Sequence, residues 1–214
     1  MKRLLFILFV IVLFARFIFG CSSMQSYNIN ITDIGTYPQS LFEPLRFKVG
    51  AYYGKEFRTF DTIQHYQIPG AGFSRVCKIQ MGKANIALFD YILSIVFEKV
   101  TPVQYLSNGS DHKKDIDLII EPTVHSYTYP NPTADGVYIH IVYKINFYLP
   151  EGEKISSWKI QGSGAVLPRL ELKHETTAVV ELTQMAMREV AAKFMTDFCN
   201  QEDIKKLFYN QCNQ

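Results

Sequence analysis

No charge of either sign dominates these 214 residues, since 22 basic side chains stand against 20 acidic ones. Without a surplus of Lys and Arg, or a basic stripe or RNA-binding motif, the long-range positive field of a nucleic-acid binder is missing, and no nucleic-acid partner is expected. Phosphate-cradling glycines are missing too. Gly70-Ala71-Gly72-Phe73-Ser74-Arg75 lacks the final glycine of a dinucleotide loop, and Gly162-Ser163-Gly164 lacks a following Lys-Ser/Thr pair. No Gly-x-Ser-x-Gly elbow is present to expose a nucleophile. Nor does any apolar run reach the roughly 20 residues of a spanning helix.

What the chain does hold is core-forming material. Apolar residues make up 48%, aromatics 14% and charged residues 20%. That is too apolar for a disordered tail and too charged for a multispanning membrane protein. Residues 45–214 suit a single domain, with residues 1–20 read as a leader and 21–44 as a polar tether.

The leader is tripartite. Lys2 and Arg3 form a positive end, Leu4 to Ala15 an apolar run of signal-peptide length, and Arg16 interrupts it before Phe17 to Gly20. Cys21 and two serines follow. Ile18-Phe19-Gly20-Cys21 resembles the motif that ends a bacterial lipoprotein leader: an aliphatic residue, a small residue just before the cysteine, and the cysteine itself. The resemblance implies cleavage between Gly20 and Cys21 and lipid attachment through the Cys21 thiol. It implies membrane association by acyl chains, each buried methylene contributing about 0.8 kcal/mol. Removing Lys2, Arg3 and Arg16 would leave 19 basic and 20 acidic residues, a net charge of −1. Ser22 after the cysteine resembles the pattern of lipoproteins sent to the outer membrane, so its periplasmic face is the expected location. Ser22 to Pro44 is rich in Ser, Asn, Thr and Gln, as a tether would be, although the pairs Ile29/Ile31 and Leu41/Phe42 could dock on the domain.

Beyond residue 44, hydrophobic periods predict the elements. Phe47, Val49, Ala51 and Tyr53 alternate with polar residues as in a strand with one buried face. Lys83 to Val100 places Ile86, Phe89, Leu93, Val96/Phe97 and Val100 along a helix, with Asn85 and Tyr91 off that face. Leu118–Tyr129 and Val137–Tyr148 read as a hairpin. The expected register sets Leu118, Ile120, Val124 and Ser126 opposite Phe147, Ile145, Ile141 and Ile139, and Glu121 opposite Lys144. A next hairpin sets Trp158 and Ile160 against Ile145 and Tyr143, reaching Gly162 and Gly164, where a helix could approach closely. Thr176 to Phe198 forms a second long helix with Val179, Leu182, Met185/Ala186, Val190 and Phe194 inward, and Glu202 to Tyr209 a short third. The expected fold is α+β, two layers, with a mainly antiparallel sheet of four to six strands and two long helices on one face. This order is loosely similar to small envelope lipoproteins that assist secretion, cell-wall synthesis or lipopolysaccharide assembly.

Candidate chemistry is sparse. The hairpin register would make His125 and His140 cross-strand neighbours beside Glu121, the best metal candidate, yet short of the three or four ligands a stable site needs. No metal and no cofactor is therefore expected. Cys199 and Cys212 could close a short loop in an oxidising compartment, although spacing alone leaves the connectivity open; Cys77 would then be a free thiol. The acidic pairs Asp115/Asp117 and Glu151/Glu153 sit at loop ends as solvated charge. Aromatics crowd at Tyr52, Tyr53, Phe57, Phe60 and Tyr66, and again at Tyr127, Tyr129, Tyr138 and Tyr148, as interfaces or a sheet core would have them. With no catalytic residues in view, the expectation is a non-enzymatic, membrane-tethered domain that binds an envelope protein. A lipid or glycolipid carrier is the first alternative, and a metal-dependent or thiol enzyme the second.

Overall fold

The computed structural model describes residues 26–39, 43–67, 74–106, 115–129, 137–166, 175–207 and 212. The elements, in chain order, are β1 Ser26–Asn30, β2 Leu45–Tyr52, α1 Lys55–Arg58, β3 Asp61–Gln67, β4 Ser74–Gln80, α2 Gly82–Val96, β5 Phe97–Val103, β6 Leu118–Thr128, β7 Val137–Tyr148, β8 Lys154–Val166, α3 Glu175–Asp197, a 3-10 turn Phe198–Asn200 and α4 Glu202–Leu207. Cys21 and Gly20, the Pro69–Gly72 turn and the docking pair Leu41/Phe42 lie outside the described residues.

The fold is α+β, but its sheets are mixed. Five strands run in the order β5-β2-β6-β7-β8, and a separate sheet of three runs β1-β4-β3. β2 is parallel to both β5 and β6, β1 is parallel to β4, and the remaining pairs are antiparallel. The expectation of one mainly antiparallel sheet is corrected to two mixed sheets by the parallel pairs β2–β5, β2–β6 and β1–β4, of which β5 is the strand read as helix. The period of α2 reads as if it continued to Val100, yet the helix ends at Val96 and Phe97 is already extended, at φ −122 and ψ 143. Val100, Thr101, Pro102 and Val103 are β-branched or lack an N–H, which weakens a helix and suits a strand. The α2 crossover then returns the chain parallel to β2, as parallel pairing requires a long connection.

Alternation along β2 is as expected: Phe47, Val49, Ala51 and Tyr53 are buried. Ile29 and Ile31 dock, at 4% and 1% exposure, so that part of the 21–44 segment belongs to the folded body, with β1 laid along β4. On α3 the buried face comprises Val179, Leu182, Thr183, Ala186, Met187, Val190, Ala191 and Phe194. Met185 is 39% exposed, so the inward stripe is rotated relative to the expected Met185/Ala186 pairing. On α2, Asn85 belongs to the buried face and not off it, in step with Leu88, Phe89 and Ile92.

The β7–β8 register is as expected, with Ile145 opposite Trp158 and Tyr143 opposite Ile160. The β6–β7 register is not. Ile120 faces Phe147 and Val124 faces Tyr143, a slide of two residues that leaves every side chain on its expected face. Inside–outside alternation repeats every two residues and cannot detect such a slide. A bulge between Val124 and Ser126 then reverses the facing, so Tyr127 turns to the core in place of Ser126.

Both long helices cover one face of the five-stranded sheet. Phe89 of α2 lies 5.3 Å from Tyr143 on β7 and 6.4 Å from Phe194 on α3, all edge-on. Phe198 continues the seam to Phe97 at 5.0 Å and Phe147 at 6.0 Å. Each ring contact of this kind adds about 0.5–1.5 kcal/mol to area burial. Three tyrosine hydroxyls orient the helices on this layer. Tyr53 donates to Asp90 Oδ1 and Tyr143 to Asn85 Oδ1, both at 2.7 Å. Tyr127 lies 2.9 Å from Thr183 Oγ1, and since that hydroxyl gives its hydrogen to the Val179 carbonyl, Tyr127 is the donor.

Where α3 crosses β8 the main chains meet. A methyl group on Gly162 would overlap the Ala186 carbonyl oxygen, and one on Gly164 that of Leu182. Neither obstacle is a flexible side chain, so the helix would have to lift. Gly162→Ala and Gly164→Ala are each expected to lower the unfolding free energy by about 3 kcal/mol in urea titrations, the upper range for overpacking. Ser163→Ala, at the exposed position between them, should cost less than about 1 kcal/mol.

Candidate functional site

The face of the five-stranded sheet turned away from the helices carries the outward positions of β6, β7 and β8. In a half-buried antiparallel sheet these alternate with the core residues and meet solvent. Here they form a chain of hydrogen bonds. Tyr148 Oη donates to Glu121 Oε2 at 2.7 Å, Asn146 Nδ2 donates to the same oxygen at 3.0 Å, and Lys154 Nζ donates to Asn146 Oδ1 at 2.7 Å. Glu121 is opposite Asn146, and Lys144, its expected partner, faces Thr123, whose hydroxyl donates to the Lys144 carbonyl. Partial burial, then the hydrogen bond to Glu121 and its charge, push the Tyr148 hydroxyl well above its ordinary range. It stays protonated near neutrality and serves as a hydrogen-bond donor; a general base must titrate near the working pH.

At one end this face is closed. Ile119 and Ile116 are 1% and 6% exposed despite the outward position of Ile119, and both pack with Val103 over Gly50. Beside them Asp117 accepts the Lys48 N–H at 2.9 Å and returns its own N–H to the Lys48 carbonyl, while Asp115 pairs with the Lys48 ammonium at 3.6 Å. This acidic pair therefore pins β2. Toward the other end the face stays open and basic, with Lys159 Nζ 3.0 Å from His125 Nε2.

The histidine pairing expected of the hairpin is not made. His125 sits in the bulge, while His140 lies opposite Thr128 on one side and Ser163 on the other, with Nδ1 2.9 Å from Ser163 Oγ. The slide and bulge remove the cross-strand geometry on which a two-histidine site rested, and among the described residues no group of three or more His, Cys, Asp and Glu could hold a metal ion. Cys77 faces the interior at 3% exposure, and Cys199 and Cys212 are disulfide-bonded with Cα atoms 5.2 Å apart. A loop of that size contributes roughly 3 kcal/mol in the chain-entropy description. The crowded aromatics divide: Tyr53, Phe57, Tyr127 and Tyr129 are buried in the core, while Tyr52 and Tyr148 flank Glu121 on the open face.

Two arrangements had no reading in the sequence. Asn85 is fully buried, holding the Tyr143 hydroxyl through Oδ1, and its Nδ2 has no partner among the described residues. Its helical spacing from Leu88, Phe89 and Ile92 was the available signal. The second is the free edge of β8. Glu189 Oε2 accepts the Ser163 N–H at 2.6 Å, Lys193 Nζ donates to the Gln161 carbonyl at 2.9 Å, and the two side chains pair with each other at 2.6 Å. One turn of α3 thus supplies the acceptor and donor that a neighbouring strand would offer.

No family model matches the chain, and no curated protein matches it. Among solved structures it is similar to a Xanthomonas campestris protein assigned to the family DUF330, at 11% identity and a TM-score of 0.48, over 84% of this chain and 98% of that one. It is also similar to a minor lipoprotein of Acinetobacter baumannii, at 11% identity and a TM-score of 0.42, over 72% and 92%.

Two outcomes are expected of these buried and edge contacts. Tyr143→Phe leaves Asn85 Oδ1 without its donor inside the core and should cost about 1–3 kcal/mol in chemical denaturation. Combining it with Asn85→Leu should cost less than the sum of the single changes, because both polar groups leave together. Partial burial raises the Glu189 carboxyl, but Lys193, the Ser163 N–H and the His140 charge together hold it below the ordinary range. A carboxylate lowered in the folded state stabilises above its unfolded pKa of about 4.3 and loses that contribution as pH falls through the folded value. The stability difference between the wild type and Glu189→Gln should therefore shrink on acidification below about pH 4.

Proposed function

We propose that this chain is a lipid-tethered accessory protein of a bacterial cell envelope, held at the periplasmic face of the outer membrane, that binds another envelope protein and catalyses no reaction. The observation that carries the reading is the leader, whose positive end and apolar run finish at Gly20-Cys21. A thiol at that place is what thioether attachment of a diacylglycerol needs, and among the described residues no helix is long and apolar enough to cross a membrane. Two or more acyl chains hold a domain on a bilayer far longer than one.

The partner-binding half of the reading is supported by the open face of the five-stranded sheet. The half-buried Glu121 and Tyr148 and the exposed Lys154 are already held there by hydrogen bonds that run through the buried Asn146. Groups held in place before binding lose little entropy when a partner arrives. Against the carrier alternative, Tyr53, Phe57 and Tyr127 of the crowded aromatics are spent on the core.

Mass spectrometry of the full chain crosslinked in its native envelope tests both halves. The expected result is a diacylglycerol-bearing peptide beginning at Cys21, membrane association lost in Cys21→Ser, and a specific crosslinked protein. Lys159→Glu, at an exposed position of the open face, should cut that crosslink at least about tenfold without unfolding the chain. An unmodified Cys21 would sink the tether, and a stoichiometric lipid with no crosslinked protein would replace the accessory reading with the carrier.

A further inference from the structure

Sheet edges offer unpaired N–H and C=O groups, and proteins blunt them with proline, charge or a covering element. Of the four edges formed by the described residues, three are treated in this way. β8 is bonded by Glu189 and Lys193, β5 carries Pro102, which has no N–H, and β1 packs beside α3. Among the described residues the fourth edge, β3, is bonded to β4 on one side only.

The ladder decides which groups β3 presents. Met81 N donates to the Phe60 carbonyl at 3.0 Å, one step beyond the Asp61–Gln80 pair, so Phe60 and Met81 form a hydrogen-bonded pair. Such pairs recur at every second residue of an antiparallel ladder. Thr62 and Gln64 therefore turn their backbone groups toward β4, and Asp61, Ile63 and His65 turn theirs outward. The side chains of these last three share one exposed face, with Ile63 58% exposed at its centre. An unshielded run of edge groups around an exposed isoleucine is what strand addition uses.

We propose that β3 pairs with β3 of a second copy of this chain, antiparallel about a two-fold axis through Ile63, joining the two small sheets into one of six strands. That register is self-complementary. Ile63 meets Ile63 of the second copy, Thr62 meets Gln64, and at both ends the Asp61 carboxylate meets the His65 imidazole, which donates to it. Moving the axis to Asp61 would set carboxylate against carboxylate, and moving it to His65 would set imidazole against imidazole and Ile63 against Gln67. Like charges placed directly opposite are unfavourable in a sheet, which counts against the Asp61-centred register, and the His65-centred one loses both the Asp61–His65 pairs and the Ile63–Ile63 contact, so the Ile63-centred register is the favoured one. The Asp61–Lys78 ion pair, at 2.6 Å within one copy, leaves the second carboxylate oxygen for the imidazole.

Sedimentation equilibrium of the full chain in density-matched detergent tests this pairing. The wild type should show a reversible monomer–dimer equilibrium. Ile63→Lys sets two ammonium groups on the axis and His65→Asp sets carboxylates opposite Asp61, and each should weaken the dimer at least about tenfold. Exchanging the pair, Asp61→His with His65→Asp, should return the dissociation constant to within about threefold of wild type. A change that merely damaged the fold would not be rescued by the exchange, and far-UV circular dichroism should be unaltered throughout. A wild type that stays monomeric at every concentration, a dimer indifferent to Ile63→Lys, or an exchange that fails to restore affinity would each overturn the proposal.

Discussion

Everything on the helical side of this protein depends on how closely α3 lies on β8. The carbonyls of Leu182 and Ala186 rest on Gly164 and Gly162, where no side chain holds the helix off. Two residues along a strand and one turn along a helix advance by similar distances, about 6–7 Å against 5.4 Å, so both contacts seat at once with α3 antiparallel to β8. That approach brings Phe194 to Phe89 and Phe198 and closes the aromatic seam. It also brings Glu189 and Lys193 within reach of the strand edge, where a helix held farther out by side chains would leave the Ser163 N–H and Gln161 carbonyl to water.

Tyrosine does on the sheet what glycine does at its edge. Tyr53, Tyr127 and Tyr143 project from the sheet layer, and each hydroxyl finds one oxygen on a covering helix. Burial pushes all three hydroxyls well above their ordinary range, so they stay protonated near neutrality and act as donors. A buried donor left without its acceptor costs about 1–3 kcal/mol, which makes these bonds selective for one placement of the helices more than a source of net stability. The ring bodies meanwhile fill the core, and the aromatic surplus of the sequence is absorbed mostly there.

The opposite side of the sheet is governed by polar contacts. Glu121 gathers Tyr148 and Asn146, and Lys154 extends the chain of bonds to β8, so three strands are linked through side chains on a face that no helix of the described residues covers. The same contacts select the β6–β7 register, because sliding the strands back to the expected alignment would separate Glu121 from Asn146. The bulge at His125 then re-aims the end of β6 and delivers Tyr127 to Thr183.

Patterns that repeat within a few residues were legible in the sequence: the alternation of β2, the glycines opposite a helix, the β7–β8 register, and the extent of α3 to within a residue or two. These follow from local period and from residue chemistry, which a single chain carries in full. The α+β class was legible for the same reason, since it needs only the order of the elements. Parallel pairing of β2 with β5 and β6 was not, because which strands adjoin depends on where the α2 crossover returns the chain. The two-residue slide of β6 was invisible because it leaves every side chain on its own face, and the separation of His125 from His140 followed from that slide and the bulge. Asn85 in the core and Glu189 and Lys193 on the edge of β8 acquire their roles only when elements distant in sequence are brought together. Local period determined most of which residues are inside; the tertiary structure decided the exceptions at Asn85, Met185 and Tyr127 and which residues touch, because contact between separate elements is set by packing that no local pattern encodes.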